Sequence, residues 1–272
     1  GEGNSGFYVR GGTSDQNLIL LDEAPVYNAS HLLGFFSTFN SDAIKDAILI
    51  KGNSPAQYGG RLASVLDIKM NEGNDKDYHA TGGIGLISSR LSIEGPIQKE
   101  KSSFLVTGRR TYADVFLQAT EDFKDNTLSF YDLNAKANYR LDKNNRIFLS
   151  GYLGRDVLGL GDQFGIDWGN TTGTLRWNSV ISPKLFSNTS LIYSDYDYNI
   201  QIQGDDIKFN INSSIQDWNL KQEFQYFQST KSSWRVGLNL IHHELAPSRF
   251  EGDAEVFNSL NTVSRKSLEN AL

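Results

Sequence analysis

From about residue 78 onward the chain alternates apolar and polar positions with a period of two, the signature of strands whose two faces meet different surroundings. In 133–141, Leu133, Ala135, Ala137, Tyr139 and Leu141 alternate with Asn134, Lys136, Asn138 and Arg140. In 215–227, Trp218, Leu220, Phe224 and Tyr226 share one face, and Asp217, Asn219, Lys221, Glu223 and Gln225 share the other. In 234–243, Trp234, Val236, Leu238 and Leu240 again line one side. Such runs reach roughly ten residues or more, which suits a tilted strand crossing a bilayer better than the shorter strands of soluble sheets. The pattern predicts about nine strands, the first two over 78–88 and 90–97.

The connections alternate as well. Short polar turns are predicted at 98–101, 142–145, 182–184 and 229–231, with longer segments near 113–127, 157–171, 203–208 and from 247 onward. Short turns at one end and long loops at the other are the pattern of an outer-membrane barrel. A soluble β-sandwich or propeller also alternates, so strand length and loop asymmetry decide for the barrel. Nine strands do not close a single-chain bacterial barrel, and an open set would leave unpaired edges in lipid. The expectation is therefore a part of a larger barrel.

Composition narrows the chemistry. The 272 residues include no Cys, which excludes a disulfide framework, thiolate catalysis and cysteine-based zinc sites. A net charge of -6 offers no basic stripe for phosphates, so nucleic acid is not an expected partner. No stretch approaches the apolar length of a transmembrane helix, and the modest mean hydropathy is equally that of a barrel with one polar face. The abrupt opening at Gly1-Glu2-Gly3 suggests that an N-terminal part precedes it.

Residues 1–70 read differently, as a compact α+β module rich in glycine. Leu18-Ile19-Leu20-Leu21 is a buried strand that stops at Asp22. Asn40 or Ser41 is placed to cap a short helix through 42–46, followed by a strand over 47–50. Ser54-Pro55, with Gly59 beyond, predicts one helical turn, and a strand over 62–70 leads into polar 71–77 (NEGNDKD).

These motifs carry a resemblance. Tyr8-Val9-Arg10-Gly11-Gly12, Leu20-Leu21-Asp22 with Pro25, Ile48-Leu49-Ile50-Lys51-Gly52, Ser54-Pro55-Ala56-Gln57-Tyr58-Gly59-Gly60 and Val65-Leu66-Asp67-Ile68-Lys69 resemble, in order, the plug of TonB-dependent outer-membrane receptors. The strands that follow are similar to the first part of the family's barrel. The resemblance implies a mainly β protein: an α+β plug domain (1–70), a linker (71–77) and the N-terminal part (78–272) of a transmembrane antiparallel β-barrel of about 22 strands. Two departures stand out. Glu23 occupies a position where plugs carry Gly, convenient for positive φ, and the acids flanking the strand before Lys51 are reduced to Asp46.

The resemblance also implies an energy-coupled importer in the bacterial outer membrane rather than an enzyme. Its partners would be TonB (through a segment ahead of Gly1), outer-membrane lipid and a scarce nutrient, with no cofactor. A ferric siderophore is preferred as cargo over a glycan or peptide handed on by a surface lipoprotein. A non-transporting plugged barrel in an envelope assembly is the rival from another class. Arg10, Lys51 and Arg61 are the candidates for locking the plug to acids of the barrel wall, against ordinary solvated ion pairs. Tyr193, Tyr196 and Tyr198 are ligand-contact candidates, against an aromatic girdle at the membrane interface. His242, His243 and Glu244 are no metal site, because neighbours on a strand point to opposite faces. The run Gly159 to Gly165 misses the dinucleotide pattern, and no nucleophile elbow, zincin helix or phosphate loop is present.

Overall fold

The computed structural model describes residues 17–34, 36–51, 55, 58, 64–112, 114–115, 121, 124–204, 208–252 and 267–271. The plug contributes β1 (Asn17–Leu21), β2 (Ala24–Pro25), β3 (Ser30–His31), β4 (Phe36–Ser37), β5 (Ile44–Lys51) and β6 (Ser64–Met70). Its four-stranded sheet runs in the order β2-β1-β6-β5, with β1 and β6 parallel, and β3 pairs with β4 separately. The apolar side chains Ile19, Leu21, Val26, Ile68 and Met70 form a small core that closes on Tyr152 of the barrel wall. The plug's core is thus completed by the wall it leans on.

Among the described residues the wall is one antiparallel meander of ten strands. These are β7 (His79–Ile84), β8 (Ser88–Gln98), β9 (Ser102–Thr111), β10 (Thr127–Arg140), β11 (Asn145–Leu160), β12 (Phe164–Ser182), β13 (Leu185–Gln203), β14 (Lys208–Ser229), β15 (Ser232–Gly252) and β16 (Ser267–Ala271). The nine expected strands are present, with β16 as a tenth.

Alternation along the wall has a direct physical meaning. Leu149, Leu175, Leu191, Leu220 and Leu240 stand opposite one another in a single row from β11 to β15. The first four are 58%, 47%, 44% and 47% exposed, on the face away from the plug. A row of leucines facing outward at that exposure suits hydrocarbon, not water. Trp177 and Tyr139 lie outward just below this row and Tyr193 and Trp218 just above it, so the outward band is aromatic as well as aliphatic.

Two expectations need correction. The predicted helix over 42–46 is a turn followed by β5. The Asn40 side chain caps that turn by accepting the Asp42 N–H at 3.1 Å, and from Ile44 the backbone pairs with β6 instead of with itself. The predicted long segment over 157–171 is mostly strand: β11 and β12 stay paired up to Leu160 and Phe164, across a turn at 161–163. Likewise β13 and β14 pair up to Gln203 and Lys208, and β15 continues to Gly252. Strands β12 and β13 are 19 residues long and β14 is 22, about twice what a tilted span needs. The wall rises beyond the membrane as ordered sheet.

Candidate functional site: the seat of the plug in the barrel wall

The chain returns from β1 to β2 through two residues, Asp22 and Glu23, since Leu21 pairs with Ala24. Both lie at positive φ, 45° and 76°, as a two-residue hairpin of the mirror-image type I requires. Asp accepts that conformation readily and Glu does not, so Glu23 is held there at a cost of about 1 kcal/mol or more. The side chains explain why. Asp22 Oδ2 lies 2.9 Å from Lys136 Nζ of β10, both nearly buried, and Asp22 Oδ1 accepts the Met70 N–H. Lys136 also donates to the Met70 carbonyl at 3.1 Å. Glu23 reaches Arg176 of β12 at 3.2 Å and Lys221 of β14 at 3.6 Å. Burial pushes the Glu23 carboxyl up, but Lys221, Arg176 and Lys69 outweigh it and hold the group below its ordinary value.

A second seat lies higher on the wall. His31 is 2% exposed, with Nδ1 2.6 Å from Asp156 Oδ2 and Nε2 3.5 Å from Asp132 Oδ2. Its ring stacks on Phe130 with centroids 4.2 Å apart. Leu32, at a φ of 49°, turns its N–H onto Asp156 Oδ1 at 2.7 Å. Asp132 is shared with Arg109, which in turn donates to the Ser37 carbonyl of the plug. Burial presses the His31 pKa down, yet the bonds to Asp132 and Asp156 win and raise it above the ordinary value.

Between these seats the contacts are neutral or shared. Asn170 of β12 accepts the Tyr27 N–H at 3.1 Å and donates to the Asn28 carbonyl at 2.9 Å, so its amide reads plug backbone as a neighbouring strand would. Ser194 donates to the Pro25 carbonyl at 2.6 Å. The Tyr27 hydroxyl bonds to Asp217 of β14, whose other oxygen lies 2.5 Å from His243 Nδ1. Between β6 and β7, Glu72 pairs with Arg146 at 2.9 Å.

Arg10 and Arg61 lie outside the described residues, and Lys51 is exposed at the end of β5. Among the described residues the plug–wall ion pairs run with the opposite polarity to that expected: plug acids meet wall bases, and only His31 is a plug cation against wall acids. Sequence reading passed over Asp22, Glu23 and His31. The one signal for Glu23 was its presence where glycine is favoured.

The three tyrosines do not form one cluster. Tyr193 faces outward, paired in register with Trp218 and 4.7 Å from its ring. Tyr196 and Tyr198 fall on the alternate, lumen-facing positions with Ser194, and Tyr196 lies 6.3 Å from the Tyr27 ring. Tyr198 stands opposite Trp168, a 4% exposed side chain whose Nε1–H has no hydrogen-bond acceptor among the described residues. His243 faces Asp217 while His242 stands on the other face. Among the described residues no group of His, Asp and Glu is placed to hold a metal ion.

Residues 1–65 match the family model of the TonB-dependent Receptor Plug Domain. No curated protein matches. The fold is similar to that of a variant ferric enterobactin receptor from Pseudomonas aeruginosa (TM-score 0.64, 14% identity, covering 86% of this chain and 42% of that one). It is also similar to the ferric preacinetobactin receptor of Acinetobacter baumannii (0.66, 10%, 99% and 45%). A third similar structure is the ferripyoverdine receptor of the outer membrane of Pseudomonas aeruginosa (0.60, 10%, 92% and 37%). The chain spans less than half the length of these structures.

Proposed function

We propose that this chain, a TonB-dependent outer-membrane receptor by its plug and its fold, forms the gated part of an energy-coupled importer whose cargo is a ferric siderophore. The observation that carries the gating is the turn at Asp22 and Glu23. A strained hairpin is fastened to three different wall strands by charged groups, which water can solvate once the turn is withdrawn. An apolar seat of equal strength would expose hydrocarbon on leaving and would resist withdrawal without an aqueous substitute. TonB is the proposed source of the pull.

The cargo reading draws on the similar receptors, which are those of ferric enterobactin, ferric preacinetobactin and ferripyoverdine. Tyr196 and Tyr198, on the lumen face near the outer ends of the strands, are the proposed ligand contacts, with Trp168 beside them offering an N–H that no described residue accepts. The test is growth of a strain lacking the full-length gene under iron limitation. Failure on one ferric siderophore, reproduced by loss of TonB, is expected. Failure confined to a glycan or peptide source would overturn the siderophore reading in favour of an importer working with a surface lipoprotein. Normal growth on every limited nutrient, with stable envelope partners co-purifying, would overturn import itself.

A further inference from the structure

The lower half of the lumen wall carries a descending series of cations. Asn138, Phe148, Arg176, Ser190 and Lys221 stand opposite one another across β10 to β14. Lys136 is one lumen-facing step above this row, and Arg146, opposite Arg140, is one step below, next to the short turns. Lys136, Arg146 and Arg176 all gather over the Phe148 ring, at 5.8, 4.8 and 4.7 Å from its centroid. Below them opens a pocket of about 450 Å³ lined by Arg140, Arg146, Asn178, Asn188 and Gln225. On β10 to β14 the lumen-facing acids Asp132, Asp156 and Asp217 lie higher, with Glu223 beside Arg235 the exception; on β8, Glu94 stands level with Lys136, and Asp142 of the short turn lines the pocket. On β10 to β14 the upper wall is therefore mainly acidic and the lower wall mainly basic.

Three carboxylates from outside the barrel strands fill the basic half: Asp22 on Lys136, Glu23 on Arg176 and Lys221, and Glu72 on Arg146. Withdrawal of the 22–23 turn removes two of them and leaves Lys136, Arg176 and Lys221 facing the lumen without a carboxylate. Part-buried cations stripped of their partners are costly, and the next anion to arrive relieves that cost. A neutral or cationic cargo gains nothing there.

We propose that these residues form a cationic ladder for an anionic, oxygen-rich cargo such as a negatively charged ferric chelate. In the resting state Asp22, Glu23 and Glu72 occupy the rungs that the cargo's oxygens take in passing. The cargo's passage rests on the import reading above; the charge of the wall does not.

The test is ionic selectivity of the full-length protein in a planar bilayer across a KCl gradient, with urea on the short-turn side to loosen the plug. The reversal potential is expected to favour chloride, and the paired substitution Arg176→Gln with Lys221→Gln is expected to remove most of that preference. The matched outward-facing pair Thr171→Gln with Gln216→Ala, away from the lumen, is expected to leave it unchanged. A potassium-selective pore, or a chloride preference untouched by the Arg176 and Lys221 pair, would overturn the ladder. Failed siderophore uptake by a chloride-selective wild type would strike the import reading alone.

Discussion

Glu23, held at a φ of 76°, places its carboxylate 3.2 Å from the Arg176 guanidinium on the barrel wall. The backbone strain and the ion pair are two sides of one device, and they can be separated by substitution. Glu23→Gly relieves the strain but removes the carboxylate; Glu23→Gln keeps the strain and removes the charge. Glu23→Gln is expected to weaken plug seating by about 2 kcal/mol, and Glu23→Gly by about 1 kcal/mol less than that. The midpoint of plug release in urea, followed by amide exchange in β1 and β6, reads both.

His31 makes the seat depend on pH. Its folded pKa is raised, so its contribution is full below the ordinary histidine value and is lost as pH rises through the raised one. Plug release should therefore need less urea at alkaline than at mildly acidic pH. In His31→Gln the dependence over that window should vanish. An unchanged slope would mean that Asp132 and Asp156 do not hold a protonated ring.

The leucine row predicts a depth profile. Leu191→Arg, in the middle of that row, should destabilise the barrel by about 2–4 kcal/mol, as charge near the bilayer midplane does. Val157→Arg, on the same outward face of β11 as Leu149 but near its far outer end, should cost about 0–1 kcal/mol. Denaturant unfolding in lipid vesicles of the full-length protein distinguishes the two. Equal costs would contradict the assignment of the outer strand ends to water.

The proposed ligand contacts and the outward aromatics lie on opposite faces of β13, so substitution separates them. Tyr198→Ala should weaken binding of the ferric siderophore that supports growth by about tenfold, roughly 1.4 kcal/mol. Tyr193→Ala should leave affinity unchanged, because its ring packs on Trp218 outside the barrel. Titration of the purified receptor, with intrinsic fluorescence as the readout, measures both.

Much of this was legible in the chain because lipid enforces a strict rule. A strand with hydrocarbon on one side and a wet lumen on the other must alternate, so Leu133 to Leu141 and Trp218 to Tyr226 display their faces in the sequence itself. Beyond the membrane the rule lapses. Val157 to Leu160 and Phe164 to Trp168 have water on the outer side, their alternation fades, and Gly159, Gly161 and Gly165 read as loop although the ladder continues. Asn40 and Asp42 misled for another reason: the residues that cap a helix also close an Asx turn, and only the pairing of β5 with β6 decides between them. The plug's seat was the least legible part. Glu23 and Arg176 are 153 positions apart, and nothing local to either residue marks the other.

The central claim is that charge on the β1–β2 turn fastens the plug to the wall. The most direct measurement is a double-mutant cycle on Asp22 and Lys136, 2.9 Å apart and nearly buried, using Asp22→Asn, Lys136→Gln and the pair, read by plug release in urea. Each single substitution should destabilise the seat, and the pair should cost less than their sum by about 2 kcal/mol. Strict additivity would contradict the account.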